Sequence, residues 1–395
     1  MKILIWNYRK LANTGGPEGY LFNIREYLKS HPNDSVVFYS DLIKSEKPTL
    51  RPSGKKMNFF GRMVNDMKQI INLCWRYYHL PVPEIPNNFD INEFDYVHIH
   101  KIVDFYSFKN QFKNYRGKTI LTTHCPCPWT DEMLSHFDSF VHLFRPIILN
   151  WECKAYKMVD YLMFPCKGAR EPYEKEFKIK KVFTQNEYKF FYVPSAIMDL
   201  KVDTKRMQKL SDIGIPNGSF VLSYFGRHTS IKGYDILKEV GAKLLDKYPN
   251  FYILCAGRGD IEPYRHKRWI ELGFINNVHE LLYQTDLYIS ANRETYFDLV
   301  VLEILRSSTK MIMSSTGGNN HFKEHDKKER EGLDFFDINK EDELIDLVEN
   351  AIKQKIADPE SYKKSCEANR NLFLNYYTMD SFIPNYIKAI YKLNI

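Results

Sequence analysis

Long apolar runs are missing from this 395-residue sequence. Nowhere do about 18 apolar residues follow one another, which excludes a membrane-spanning helix. A secretory leader is missing as well, because MKILIWNYRKL places Asn7, Arg9 and Lys10 where an apolar core would continue, so the chain is expected to stay in the cytoplasm. The seven cysteines are scattered, and the closest pair, Cys125 and Cys127 in HCPCPW, lacks both the CxxC step and a second half-site for zinc. Buried free thiols are therefore favoured over metal or redox chemistry. No nucleic-acid motif, internal repeat or low-complexity tract is evident.

What is present reads as a soluble globular chain, 44% hydrophobic and 27% charged, long enough for about two or three domains. The net charge of +7 is mild but unevenly placed. Residues 51–80 interleave Lys and Arg with Met57, Phe59, Phe60, Met63, Trp75, Tyr77 and Tyr78, a pattern that suits either a surface for anionic lipid headgroups or a core-packed helix with solvated bases.

Short apolar runs bounded by turns predict parallel strands buried on both faces: KILIWN, VVFYS, YVHIH, TILTTH, YLMFP and FFYVPS, then FVLSYFG, FYILCAG, LYISAN and KMIMSS. Amphipathic stretches such as GYDILKEVGAKLLDKY and EDELIDLVENAIKQKI lie between them, so the fold class is α/β with doubly wound parallel sheets. The polar stretch around residue 198 separates the two strand series, predicting domains over 1–197 and 198–377. The final segment, 378–395, carries apolar residues at helical spacing with Pro384 in a first-turn position, and is expected to pack back on the first domain.

Ligands of such sheets collect beyond the carboxyl ends of the strands. After the first strand, Gly15 and Gly16 precede an amphipathic helix, an arrangement that suits an anion held by backbone N–H groups or a tight structural turn. With Gly19 their spacing is not that of the GxGxxG fingerprint. In FVLSYFGRHTSIKG, Arg227 and Lys232 flank a strand end as a pair of cations suited to a diphosphate. Another glycine pair, Gly317 and Gly318, stands in STGGNNHF. The stretch ANRETYFDLVVLEILRSS sets a lone carboxylate, Glu303, in an apolar helical segment, where a charge is costly unless it is paired.

Taken in order, GGPEGY, VHIHK, TTHCP, FPCKGARE, FGRHTSIKG, GFINNVHELLYQTDLYISANRETYFDLVVLE and TGG resemble the GT-B retaining glycosyltransferases of family 4. The resemblance implies two Rossmann-like domains facing a cleft that holds a nucleotide diphospho-sugar. It implies that Glu294 approaches the donor sugar and that Glu303 accepts hydrogen bonds from the ribose hydroxyls. Arg227 and Lys232 would stabilise the departing diphosphate, Gly15 and Gly16 would let backbone approach the donor, and His124 would face the reaction centre. His98, His100 and Lys101 either line the acceptor side or, for the histidines, form a satisfied core pair.

The family places seven residues between its two glutamates and this chain has eight, so Glu294 must lie in the loop before the helix. Thr295 with Asp298 three residues later predicts an N-cap and a helix from about Tyr296, putting Tyr296, Phe297, Asp298 and Leu299 at the donor phosphates. Asp298 stands where the family often has a small residue, so its charge must turn away from a diphosphate.

The expected activity is retaining sugar transfer from a nucleotide diphospho-sugar to a hydroxyl of a glycan or lipid-linked glycan, as in surface polysaccharide synthesis. It would proceed at the cytoplasmic face, with 51–80 toward the membrane. No cofactor or metal is expected, since no Asp-x-Asp motif occurs and Arg227 and Lys232 offer the cationic charge. Two rivals are a GT-B-fold nucleotide-sugar epimerase, which would release nucleotide without acceptor, and a non-catalytic GT-B partner subunit, which would lack turnover.

Overall fold

The computed structural model describes residues 1–11, 16–43, 61, 63–68, 71, 85–135, 137, 139–200, 207, 209–275 and 278–394. Most of the basic aromatic segment 51–80, and Gly15, lie outside the described residues. The chain divides into unit 1, formed by Met1–Pro165, Arg170–Val193 and Pro384–Ile395, and unit 2, formed by Cys166–Ala169 and Pro194–Ile383. The main change of unit thus falls at Val193/Pro194 rather than at residue 198, and Cys166–Ala169 counts with unit 2.

Unit 1 is built on β1 (Ile3–Trp6), β2 (Val36–Phe38), β3 (Tyr96–Ile99), β4 (Lys118–Leu121), β5 (Tyr161–Phe164) and β6 (Phe190–Tyr192). They pair in parallel in the order β2-β1-β3-β4-β5-β6. Every residue of β1 and β3 is buried, as expected where helices cover both faces of a parallel sheet. Because β2 and β3 flank β1, the chain leaves β1 in one direction and β3 in the other, which opens a crevice at their carboxyl ends.

Unit 2 repeats the scheme with β7 (Phe220–Phe225), β8 (Phe251–Ala256), β9 (Trp269–Glu271), β10 (Leu287–Ser290), β11 (Lys310–Ser314) and β12 (Leu333–Phe336), in the order β12-β11-β10-β7-β8-β9. Its switch point lies between β7 and β10. The segments β9 and β12 escape the sequence reading. Both are edge strands of three and four residues that include a carboxylate, so neither shows the continuous apolar run of a central strand.

The last helix, Met379–Tyr391, begins earlier than Pro384 implied, and the proline lies inside it. Thr378 supplies the start signal: its Oγ1 accepts a 3.3 Å hydrogen bond from the Ser381 amide, as an N-cap does. Within unit 1, Tyr386 of this helix bonds His98 Nδ1 at 2.7 Å, and the other ring nitrogen meets Thr122 Oγ1 at 2.7 Å. Burial pushes the His98 pKa down to about 3, so the ring is neutral at pH 7 and both its nitrogens are satisfied. Tyr386→Phe would leave a buried ring nitrogen without its partner. The expected cost is about 1–3 kcal/mol, read from urea unfolding at pH 7; an unchanged midpoint would show that the bond contributes nothing.

Candidate functional site

In unit 2 the loops after β7 and β10 meet. Gly233, at φ +67°, approaches so closely that a Cβ would lie 1.9 Å from the Ala291 carbonyl oxygen, and only glycine fits there. The Tyr224 hydroxyl donates to the Arg227 carbonyl at 2.8 Å and pins the turn. Lys232 Nζ reaches across to Asp298 Oδ2 at 2.5 Å, and the same oxygen accepts from Asn292 Nδ2 at 2.5 Å. Arg227 is exposed and forms no ion pair or side-chain hydrogen bond among the described residues.

The helix after β10 spans Leu299–Arg306, with Asp298 at the N-cap position but with no side-chain cap bond. It therefore starts three residues later than the Thr295 pattern predicts. The Thr295 hydroxyl donates instead to the Thr316 carbonyl at 2.6 Å and accepts from the Asn319 amide at 3.3 Å, so a tertiary contact has taken the capping side chain. Tyr296 and Phe297 are consequently loop residues with buried side chains, and Phe297 packs on Phe322 and Tyr377. Of the four residues expected at the phosphates, Asp298 and Leu299 stand at the helix start and are half-buried.

Gly317 and Gly318 explain themselves here. A Cβ on either would fall 2.2 Å from the Thr295 carbonyl oxygen or 1.8 Å from that of Tyr296, so the pair lets the loop after β11 lie directly on the segment that bears Glu294. Glu294 lies in that loop before the helix, half-buried, as the eight-residue spacing requires. Glu303 lies within the helix. Among the described residues its side chain makes no hydrogen bond or ion pair, and burial raises its pKa while the charge of Arg306 opposes the shift. The Arg306 guanidinium donates to the Met198 carbonyl at 2.8 Å and its Nε is unpartnered.

A buried pair beneath the Arg227 loop was not anticipated. His228 Nε2 and Glu271 Oε2 stand 3.7 Å apart, each without a hydrogen-bond partner, and the imidazole stacks on Tyr234 at 3.9 Å. Glu271 also accepts from Trp269 Nε1 at 2.7 Å and from the Tyr234 hydroxyl. Tyr234, stacked on the imidazole and donating to Glu271, links the loop to the end of β9, and Gly257 N donates to the Gly273 carbonyl at 2.8 Å. A histidine inside GRHTSIKG and a lone carboxylate in RWIELG were the available signals.

In unit 1, His124 follows β4, and its Nε2 lies 2.9 Å from His100 Nδ1. Burial lowers both pKa values, with His124 pushed down to about 3, so one hydrogen is shared between two neutral rings. The two histidines of YVHIHK thus part company: His98 is a satisfied core residue inside β3, whereas His100, beyond the strand end, faces His124. The turn after His124 is braced by Glu152, whose carboxylate accepts from Trp129 N at 2.8 Å, Thr130 N at 2.9 Å, Thr130 Oγ1 at 2.6 Å and the Tyr156 hydroxyl at 2.7 Å. Cys125 donates to Glu132 at 2.5 Å and is a free thiol whose pKa burial pushes far up, which leaves it inert. Gly16 opens the helix Gly16–Ser30 at φ +60° with open space where a Cβ would be.

Residues 219–354 match the family described as glycosyl transferases group 1. An uncharacterized glycosyltransferase of Methanocaldococcus jannaschii is 29% identical over 118 residues, which is 27% of this chain and only 30% of that protein's length. Among solved structures, HepE of Anabaena in complex with UDP is similar at a TM-score of 0.61 with 13% identity, covering 99% of this chain and 100% of that one. A glycosyltransferase of Rickettsia africae is similar at 0.61 with 15% identity, covering 99% and 98%. WaaG, a glycosyltransferase involved in lipopolysaccharide biosynthesis, is similar at 0.59 with 13% identity, covering 98% and 99%. At such identities the likeness is one of fold, and the fold is GT-B.

The uncompensated Glu303 carries a pH signature. A carboxyl with a raised folded-state pKa binds more protons folded than unfolded, so its contribution to stability falls as pH rises from about 4.3, the unfolded value, through the folded pKa. Glu303→Gln should therefore raise the urea midpoint at pH 7 and leave it unchanged near pH 3. Equal midpoints at pH 7 would mean that the carboxylate is compensated in the empty protein.

Proposed function

We propose that this GT-B chain, whose residues 219–354 form a glycosyl transferases group 1 domain, is a glycosyltransferase that moves a sugar from a nucleotide diphospho-sugar to a hydroxyl acceptor with retention of configuration. One observation carries the reading: an uncompensated carboxylate, Glu303, lies on the helix whose start, at Asp298, is bridged to Lys232 on the Arg227 loop. Two ribose hydroxyls give that carboxylate the donors it lacks. The diphosphate takes Arg227 and, by replacing the Asp298 carboxylate as its counter-charge, Lys232.

Both cations act chiefly as negative charge builds on the leaving diphosphate. Glu294 approaches the sugar from the loop, and His124 is assigned to the reaction centre. No side chain is assigned as a covalent nucleophile, so departure and attack share one face, with the leaving phosphate accepting the acceptor proton. Charge stabilisation by Arg227 and Lys232 makes the reaction independent of a divalent ion. The acceptor is a glycan or lipid-linked glycan of surface polysaccharide synthesis, met at the cytoplasmic membrane face. Among the described residues no helix is long and apolar enough to cross a membrane.

A panel of nucleotide diphospho-sugars in thermal unfolding tests the core of this reading. The true donor at about 100 times its dissociation constant adds about 2.7 kcal/mol of stability, with or without EDTA. No stabilisation by any member would refute donor binding, and turnover abolished by EDTA would refute metal independence. With the donor in hand, Arg227→Ala should lower kcat about 10²-fold and change the donor KM far less. The reverse split would make Arg227 a docking residue only.

A further inference from the structure

Two helices of unit 1, Arg145–Met158 and Phe177–Gln185, come after β4 and β5 in the chain and pack on one another. Near their starts Arg145 Nη2 donates to Glu176 Oε2 at 2.8 Å, and further along the Tyr156 and Phe183 rings meet edge to face at 5.1 Å. Each helix turns a mixed face to solvent. On the first, Ile147, Lys154 and Met158 recur at i, i+7 and i+11, which places them on one side, and all three are exposed. On the second, Phe177, Lys180, Lys181 and Thr184 recur at i, i+3, i+4 and i+7 and are likewise exposed.

Large apolar side chains are unusually bare here. Leu143, just before the first helix, is 80% exposed, Phe177 is 75% exposed and Tyr188, just after the second helix, 78%. Single apolar residues scattered on a surface are ordinary, but these share two adjoining helices with a set of cations. Lys154, Lys157, Lys178, Lys180 and Lys181 are exposed, and none of their ammonium groups makes a hydrogen bond or ion pair among the described residues. Carboxylates of the same stretch are engaged elsewhere: Glu176 by Arg145, Glu174 and Glu187 by Arg170, and Asp160 by Thr119. The two outer faces thus present positive charge and apolar surface together.

We infer that this two-helix face docks on an anionic lipid bilayer, with its apolar side chains entering the headgroup layer and its lysines meeting lipid phosphates. A protein partner fits it less well, because lysine is depleted from the cores of protein interfaces, and a nucleic acid gains no stacking surface from Leu143 and Ile147. A bilayer takes both kinds of group at once, since aromatic and aliphatic side chains enter the interface while cations stay at its charged plane. A helix that joins two parallel strands runs back along the sheet, so Leu143, Ile147 and Phe177, at the helix starts, lie toward the carboxyl ends of β4 and β5. His124 follows β4 at that same end. Docking therefore holds the carboxyl end of the unit 1 sheet close to the lipid surface, where a lipid-linked acceptor emerges. The inference rests on the proposed sugar transfer only in giving the docking that purpose.

Flotation of the full chain with vesicles of phosphatidylcholine alone, and of phosphatidylcholine and phosphatidylglycerol in equal parts, tests it. The wild type should float only with the anionic vesicles. Lys178→Gln, Lys180→Gln and Lys181→Gln together should weaken that binding about a hundredfold, at about fivefold for each lysine. Phe177→Ser with Tyr188→Ser should weaken it about tenfold or more. All five positions are exposed, and an unchanged thermal midpoint shows that both variants fold. Residues 51–80 are intact in both, so vesicle binding that survives both sets of changes overturns the inference, as does a wild type that ignores anionic vesicles. Loss with the lysine set but not with the aromatic set would mark a general polyanion surface and overturn the bilayer assignment too. A chain that docks on anionic vesicles through these residues, yet is stabilised by no nucleotide diphospho-sugar, would instead strike the glycosyltransferase reading and leave the docking face standing.

Discussion

The Asp298 carboxylate, shared by Lys232 and Asn292, fixes the candidate donor site in unit 2. It joins the loop after β7 to the loop after β10 across the switch point of the sheet, and it does so at the first turn of the helix that carries Glu303. A carboxylate at a helix start is favoured by the local dipole, and a lysine that faces it is held in one place. The same arrangement makes the lysine available by exchange. In the proposed reaction a diphosphate would offer Lys232 more negative charge than one carboxylate does, while Asp298 would keep Asn292 as a donor. A small residue at 298 would leave Lys232 without its tether in the empty protein.

Close approach of backbones, made possible by three glycines, sets the rest of that geometry. Gly233 brings the cationic loop against Ala291, and Gly317 with Gly318 brings the loop after β11 against Thr295 and Tyr296. Their shared effect is steric: they let three loops from neighbouring strands pack at the carboxyl end of the sheet without side chains between them. Gly16 in unit 1 differs, since nothing crowds it, and its left-handed backbone is what requires glycine.

Central strands and long amphipathic helices were legible in the sequence because burial on both faces, or on one stripe, leaves a periodic signature. That signature is absent from β9 and β12, which have one neighbour each and include a carboxylate, the last residue of β9 and the second of β12. Local capping rules failed at Thr295 and Pro384 for the same physical reason: a residue that can cap locally was claimed by a distant partner, or a better cap stood upstream. Thr316 draws Thr295 away from the helix, and Thr378 starts the last helix before the proline. The charged residues of the candidate donor site, Arg227, Lys232, Glu294 and Glu303, stand out in the sequence by type and order, but the structural partner of each does not. Nothing in the local sequence ties Lys232 to residue 298, or His228 to Glu271, because those pairs exist only once the parallel strands have aligned.

A polar group left incomplete follows a logic that satisfied ones do not. Glu152, with four donors, and His98, with two partners, strengthen the fold in which they sit, and their chemistry is finished. Glu303 in unit 2 instead carries charge in a half-buried place without a partner among the described residues, which costs stability in the empty protein. A ligand that brings the missing partner removes that cost as it binds, so the strain of the empty state becomes selectivity. In the proposed reading Glu303 takes hydrogen-bond donors, as paired ribose hydroxyls are.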